Sequence, residues 1–499
     1  MLFFFRVLAF CYRLETSVNF SALDWSIILV YLSASMAAGL YGKRFISKAS
    51  DFLVAGRSLG PYLGISTLAA TEIGTVTFMY YAELGYKAGF ASFVNGLIAG
   101  IVMIFIGRTG FVIRRLREMQ LMTVPEFFER RYSRNLRVLT GVLVATGGIL
   151  NMGVFLKIEG TFLAILSGIP IEYLNLVMTA ILLLELLYTI LGGMVSVVIT
   201  DFIQFVVLAA GAVVVTGICI YSAGWQGMHD AVMRNMGPNG FDPFSSPQFG
   251  WAFVAFQLVY WMAVNTCWQT TAMRTFSTRD TEVGKQVFTW TGFIFLGRGM
   301  MPMLWGIAAL TLLGPGHDSL QAMPSMLARI LPNGLRGIVV AGMLAATMSV
   351  NSSYLLGWSS VIAQDIVGPL ARKPLSNRTQ VNLNRVANLC VSLFVMFWGL
   401  WYKLPGPAYF YLNITATIFL AGSFAAIVGG LYWKRASVVG GYAAMLGGAA
   451  GAAGFFFLHL PASYAGFGAF ALAFAGLFAG SLLAPRSVSV PPTAAIAVE

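Results

Sequence analysis

From residue 24 to residue 484 the chain is a succession of apolar stretches near bilayer length, separated by short polar breaks. About thirteen can be counted, at 24–42, 61–82, 88–108, 138–166, 171–191, 194–222, 250–272, 287–314, 334–364, 385–402, 408–433, 437–459 and 464–484. No break is long enough for a soluble domain. In hydrocarbon every backbone N–H and C=O must find a partner within the chain, so this pattern predicts a bundle of membrane-spanning helices. Charge agrees, because only 10% of residues are charged, against roughly 25% in a soluble domain. The 54 glycines suit helices that pack closely in lipid.

The net charge of +12 does not mark a nucleic-acid surface. The basic residues fall in alternate short breaks, which is the pattern of loops kept on the cytoplasmic side. With the N-terminus outside and the C-terminus cytoplasmic, those breaks hold most of the 31 Lys and Arg, Arg57, Arg117, Arg137, Arg274 and Lys434 among them. Lys157 and Arg298 lie within the apolar stretches. The four cysteines lack metal-ligand spacing and the three histidines are far apart. Residues 1–23 read as an interfacial or disordered lead-in, since Arg6 and Arg13 interrupt the apolar runs. The Gly/Pro/Asn-rich stretch from Trp225 to Phe249 reads as an external loop. The tail from Pro485 reads as disordered.

One apolar stretch carries Thr67-Leu68-Ala69-Ala70-Thr71-Glu72-Ile73-Gly74-Thr75 at its middle. A carboxylate and three threonines are expensive there. Gly74 lets the backbone leave the helix and free carbonyls for a ligand. The stretch reads either as a broken helix at a transport site or as a polar patch packed against neighbouring helices. Five segments later Asn265-Thr266-Cys267-Trp268-Gln269-Thr270-Thr271 interrupts 250–272. Paired interruptions point to an inverted repeat with a site at the membrane midplane.

Glu72, Lys157, Glu159, Glu185, Asp201 and Arg298 lie within apolar stretches and are candidates for function. Glu72 is a candidate counter-charge for Lys157. Arg298 suits either a substrate carboxylate or a structural pairing with Asp201 or Glu159, and the structural role is favoured. In 334–364, Ala346, Ser349 and Ser353 share a helical face, which serves tight packing or the oxygen ligands of a hard cation. Gly447 and Gly451 read as a packing face. No Walker loop, zinc motif or nucleophile elbow appears, so neither an ATP-driven pump nor an enzyme is expected.

Four motifs in order resemble the sodium:solute symporter family, relatives of the sodium–glucose, proline and pantothenate symporters. They are Asp51-Phe52-Leu53-Val54-Ala55-Gly56-Arg57-Ser58-Leu59-Gly60, Thr123-Val124-Pro125-Glu126-Phe127-Phe128-Glu129-Arg130-Arg131-Tyr132, Gly192-Gly193-Met194 with Val197, Thr200, Asp201 and Gln204, and Gly430-Leu431-Tyr432-Trp433-Lys434-Arg435. The resemblance implies an all-α membrane protein of leucine-transporter-like fold, with two inverted five-helix repeats at 61–222 and 250–433. Around them lie the lead-in 1–23, a first helix and loop 24–60, an external loop 223–249, two final helices 434–484 and a cytoplasmic tail 485–499. It also implies sodium coupling by alternating access. The sodium ligands would be the carbonyls of Ala70, Ile73 and Ala346 and the hydroxyl of Ser349. Val350 stands where the family usually has a hydroxyl, which removes one ligand or moves coupling to protons through Glu72. Asp201 matches a family aspartate near a further sodium site.

The expectation is therefore a symporter for a small organic solute in a bacterial inner membrane. Thr71, Glu72, Thr75, Lys157, Asn265, Trp268 and Gln269 would line its site, and the basic residues point to a carboxylate-bearing solute. The bilayer is the expected surrounding, with neither nucleic acid nor an obligatory protein partner. A proton-coupled or ion-independent transporter, or a transporter-fold sensor working with a partner, is the alternative.

Overall fold

The computed structural model describes residues 20–42, 54–371, 376–404 and 406–485. The lead-in 1–19, the loop 43–53 that opens the first motif, Arg372 and Lys373, the tail 486–499 and the side chain of Glu185 lie outside the described residues. Among the described residues the structure is helical, apart from one isolated bridge between Leu59 and Thr278.

Helix α1 spans Ala22–Gly42. The 61–82 stretch folds as two half-helices, α2 (Pro61–Glu72) and α3 (Thr75–Ala88), and α4 follows at Val94–Thr109. Pro61 opens α2, where its fixed φ suits a first turn and its missing N–H is no loss. A short amphipathic helix, α5 (Val124–Arg131), precedes α6 (Arg134–Met152), whose N-cap Ser133 accepts the Leu136 N–H. The 138–166 stretch, expected as one helix, breaks at Gly153–Val154 between α6 and α7 (Phe155–Ser167).

Helix α8 runs from Leu174 to Ala223, 50 residues without interruption. The sequence predicts a break at Gly192-Gly193. Each glycine costs a helix only about 1 kcal/mol, less than leaving backbone groups unpaired in lipid. The expected external loop instead begins with helix α9 (Trp225–Met236), which buries Met228, Ala231 and Val232. This periodicity was hidden beneath the turn-forming composition of the residues that follow.

The second interruption also breaks its helix, into α10 (Gly250–Cys267) and α11 (Gln269–Ser277), with Trp268 extended between them. Helix α12 (Thr281–Leu313) starts from Asp280, whose carboxylate accepts the Val283 N–H at 2.8 Å. After α13 (Ser319–Ile330) comes α14 (Leu335–Val361), then α15 (Asn377–Trp401), α16 (Ala408–Tyr432), α17 (Val438–Phe457) and α18 (Ala462–Leu483).

Nine helical runs among the described residues are long and apolar enough to cross a membrane. The expectation of about thirteen is not reached in that count. The half-helices α2, α10 and α11 are too short or too polar to qualify, and the stretches 171–191 and 194–222 merge in the one helix α8. Burial sorts the rest. The most apolar window of the run through α14 is 94% buried, that of α17 only 39%. Helix α14 is thus the axis of the bundle, and α17 lies at its flank. Asp24 pins α1 to that axis, because its Oδ1 accepts the N–H groups of Gly334 and Gly337, each at 2.7 Å, at the start of α14. Gly447 and Gly451 face α18, where an added Cβ would lie 2.9 Å from the Leu472 carbonyl and 2.4 Å from Ala469 Cα. Large exposed apolar side chains such as Val206, Phe397 and Phe478 give the bundle a lipid-compatible surface.

Candidate solute and cation site

The two breaks meet. Glu72 ends α2, and its Oε1 accepts the hydroxyls of Thr271 (2.9 Å) and Thr270 (3.3 Å) in the first turn of α11. A carboxylate at a helix N-terminus is favoured by the aligned peptide dipoles. The break itself withdraws backbone groups from the helical ladder. The Gly74 N–H, which an unbroken helix would give to the Ala70 carbonyl, instead approaches the Thr77 hydroxyl at 3.3 Å. That hydroxyl donates to the Glu72 carbonyl at 3.3 Å. The next backbone bond runs from Phe78 N–H to the Gly74 carbonyl, 3.2 Å, so the ladder of α3 starts beyond Ile73.

Gly74 does not have the role expected of it. Its φ is −102°, ordinary extended backbone that any residue adopts. The constraint is spatial: a Cβ there would lie 2.8 Å from Val350 Cγ2 on α14. Val350 thus fills the notch at the break.

A cavity with about 600 Å³ of empty volume, open solvent at its mouth included, lies beside the breaks. Glu72, Gly74, Tyr80, Trp261, Trp268, Arg298, Val350 and Tyr354 are among its lining residues. Arg298 is the main departure from expectation. It pairs with neither Asp201 nor Glu159. Its Nη2 donates to Tyr80 Oη at 3.4 Å, and its guanidinium lies 4.5 Å from the Phe295 ring centre and 5.6 Å from that of Trp261. Nε and Nη1 have no hydrogen-bond partner. Glu159 instead accepts the Asn351 side-chain amide at 2.9 Å.

Asp201 belongs to a second cluster, fully buried. Its Oδ2 accepts the Thr67 hydroxyl (2.5 Å) and Arg274 Nη2 (3.5 Å), and its Oδ1 accepts the Ser349 hydroxyl (2.5 Å). Arg274 Nη2 also donates to Ser353 Oγ at 2.5 Å, and Ser353 Oγ lies 3.2 Å from Thr71 Oγ1. The cluster joins α2, α8, α11 and α14. Arg274 was expected in a cytoplasmic loop, yet it is 1% exposed. Once the helix breaks at Trp268, α11 has to continue the crossing and carries Arg274 with it.

Several expected lining residues point elsewhere. Lys157 does not meet Glu72; its Nζ donates to the Tyr402 carbonyl at 3.3 Å, beyond the end of α15. Thr75 donates to the Met343 carbonyl (2.6 Å) and accepts from Thr347 (3.0 Å), tying α3 to α14. Thr71 is held by Ser353. Gln269 Oε1 accepts the Val124 N–H at 3.0 Å, so it anchors the start of α5. The same end of the bundle carries Asp365 Oδ1, which accepts Thr123 Oγ1 (2.8 Å) and Arg137 Nε (2.7 Å) within a π-helical stretch, Ile362–Val367. Asn265 is buried with its Nδ2 unpartnered but does not line the cavity. Thr71 and Asn265 share their half-helices with cavity-lining residues but project from other faces, whereas Lys157, Thr75 and Gln269 lie beyond a break that resets helical phase. Of the expected solute contacts, Glu72 and Trp268 line it. Sequence reasoning missed Tyr80, Trp261 and Tyr354. Trp261, Val264 and Trp268 do share a helical face by 3- and 4-residue spacing, a signal available beforehand.

The model of the sodium:solute symporter family matches residues 52–448. The chain belongs to the sodium:solute symporter family. The sodium/glucose cotransporter of Vibrio parahaemolyticus is 25% identical over 84% of this chain and 82% of its own length. The high-affinity proline transporter of Bacillus subtilis (strain 168) is 25% identical over 83% of this chain and 88% of its own. Among solved structures, a Na+-coupled sialic acid symporter in a substrate-bound outward-open state superposes with a TM-score of 0.82 at 18% identity. That match covers 94% of this chain and 100% of the other, and it shows that this chain shares that protein's fold. The family and the apolar helices make the chain a membrane transport protein.

Proposed function

We propose that the protein couples sodium entry to uptake of a small carboxylate-bearing solute by alternating access, in a bacterial inner membrane with its N-terminus outside and its C-terminus cytoplasmic. The observation that carries the solute assignment is Arg298. A guanidinium at 8% exposure, free of any ion pair among the described residues, with two nitrogens unpartnered, lines a cavity between two broken helices. Leaving such a group unsatisfied costs about 1–3 kcal/mol or more, and a carboxylate in two-pronged contact is its natural complement. Glu72 and Trp268 would complete the solute site.

The sodium ion would sit between the α2 break and α14, on the carbonyls of Ala70, Ile73 and Ala346 and the Ser349 hydroxyl. The Gly74 N–H turned away from Ala70 and the start of the α3 ladder beyond Ile73 support this. Asp201, next to Ser349, supplies negative charge to the same region. The two inverted repeats would be 61–222 and 250–433, with the first helix of each broken. The test is uptake of radiolabelled organic acids, amino acids and sugars into proteoliposomes, with and without an inward sodium gradient. Uptake should follow the gradient, and Ser349→Ala should weaken its sodium dependence. Transport indifferent to sodium would reject the coupling.

Val350 favours a second reading, proton coupling through Glu72. Its side chain supplies no oxygen and packs where Gly74 opens the helix. Glu72→Gln would then abolish the pH response of uptake; an unchanged response would reject that role.

A further inference from the structure

The cavity holds two opposite charges that do not neutralise each other. Glu72 Oε1 is occupied by Thr270 and Thr271, while Oε2 has no hydrogen-bond partner among the described residues. Arg298 spends one nitrogen on the Tyr80 hydroxyl and leaves two unpartnered. Both side chains line the same cavity, and no ion pair within 4.0 Å joins them. Elsewhere opposite charges are in contact: fully buried Arg274 with Asp201, and part-buried Arg137 with buried Asp365 at 2.7 Å.

Two charges held apart in a poorly solvated cavity are each expensive, and direct contact would relieve both. Their separation leaves room for a ligand that answers both. Resting on the reading of this cavity as the solute site, we infer that the solute is a zwitterion, with its carboxylate on Arg298 and its cationic nitrogen on Glu72. A plain carboxylate would satisfy Arg298 and set its own charge against Glu72. A neutral polyol would leave both charges unanswered. The rings of Trp268 and Tyr354, 5.6 Å apart between centroids on the cavity wall, also suit a cation with an apolar body.

The experiment is thermal unfolding of the purified full chain in detergent with sodium, against matched probes: L-proline, cyclopentanecarboxylate and pyrrolidine; L-phenylalanine, 3-phenylpropanoate and phenethylamine; the other standard amino acids; glycine betaine; and D-glucose. At least one zwitterion should raise the midpoint, while the anion and the amine that represent its halves should not. Glu72→Gln should narrow the gap between that zwitterion and its amine-free partner. An anion or glucose that stabilises as well as the best zwitterion overturns the inference, and so does a panel in which no zwitterion shifts the midpoint. The cavity reading fails separately: a shift that survives unchanged in both Trp268→Ala and Arg298→Lys places the solute site elsewhere. A shift lost in those variants but produced by an anion alone rejects only the zwitterion.

Discussion

The Asp201–Arg274 cluster and the Glu72–Arg298 cavity draw on the same broken helices and the same kinds of side chain, yet they are wired oppositely. In the cluster the guanidinium touches the carboxylate, and hydroxyls of Thr67, Ser349 and Ser353 take further bonds. In the cavity the carboxylate and the guanidinium make no direct contact, and Arg298 leaves two nitrogens unpartnered where Arg274 leaves only Nε. The first arrangement locks α2, α8, α11 and α14 in register. The second stores binding capacity. Buried charge is therefore not one signal in this protein: contact ties helices together, and on the reading proposed above separation marks a ligand.

Substitutions can break that contrast. The largest effect is expected at the cluster. Arg274→Met leaves Asp201 buried and unpaired and should cost about 3–5 kcal/mol of stability, read as a lower thermal midpoint and yield of folded protein in detergent. Adding Asp201→Asn should recover part of that loss. Arg298→Lys should leave the midpoint near the parent value while weakening solute affinity by roughly 1.5–3 kcal/mol, measured as a raised KM for uptake. An Arg298 variant as unstable as Arg274→Met would erase the distinction.

Gly74→Ala should destabilise by about 1–3 kcal/mol through its clash with Val350. Val350→Ala in the same chain should relieve it, and failure of that rescue would return the requirement to backbone freedom. The smallest change is expected from Lys157→Met. This substitution loses one bond to a carbonyl, about 1 kcal/mol, and should leave the KM of uptake unchanged. A raised KM would bring Lys157 back into the site.

The interruptions were legible because polar residues in hydrocarbon have few permitted explanations, and both open the helix where the sequence places them. The partners were not legible. Lys157 and Glu72 were opposite charges on plausible neighbours, but Lys157 faces Tyr402. Gln269 sits at the interruption, yet its amide caps α5, a contact across 145 residues. The hydropathy pattern puts Arg274 in a loop, because it ends where a polar half-helix continues.

By itself the sequence determined that this chain lives in a membrane, that its segments are helical, and that two of them break. Each follows from the cost of unpaired backbone and polar atoms in lipid, a local quantity that sequence contains. Tertiary structure alone decided which charge meets which, why Gly74 must be small, and which residues face the cavity. Those outcomes depend on how separate helices are rotated and spaced against one another, and a break in a helix discards the phase from which that rotation could be read.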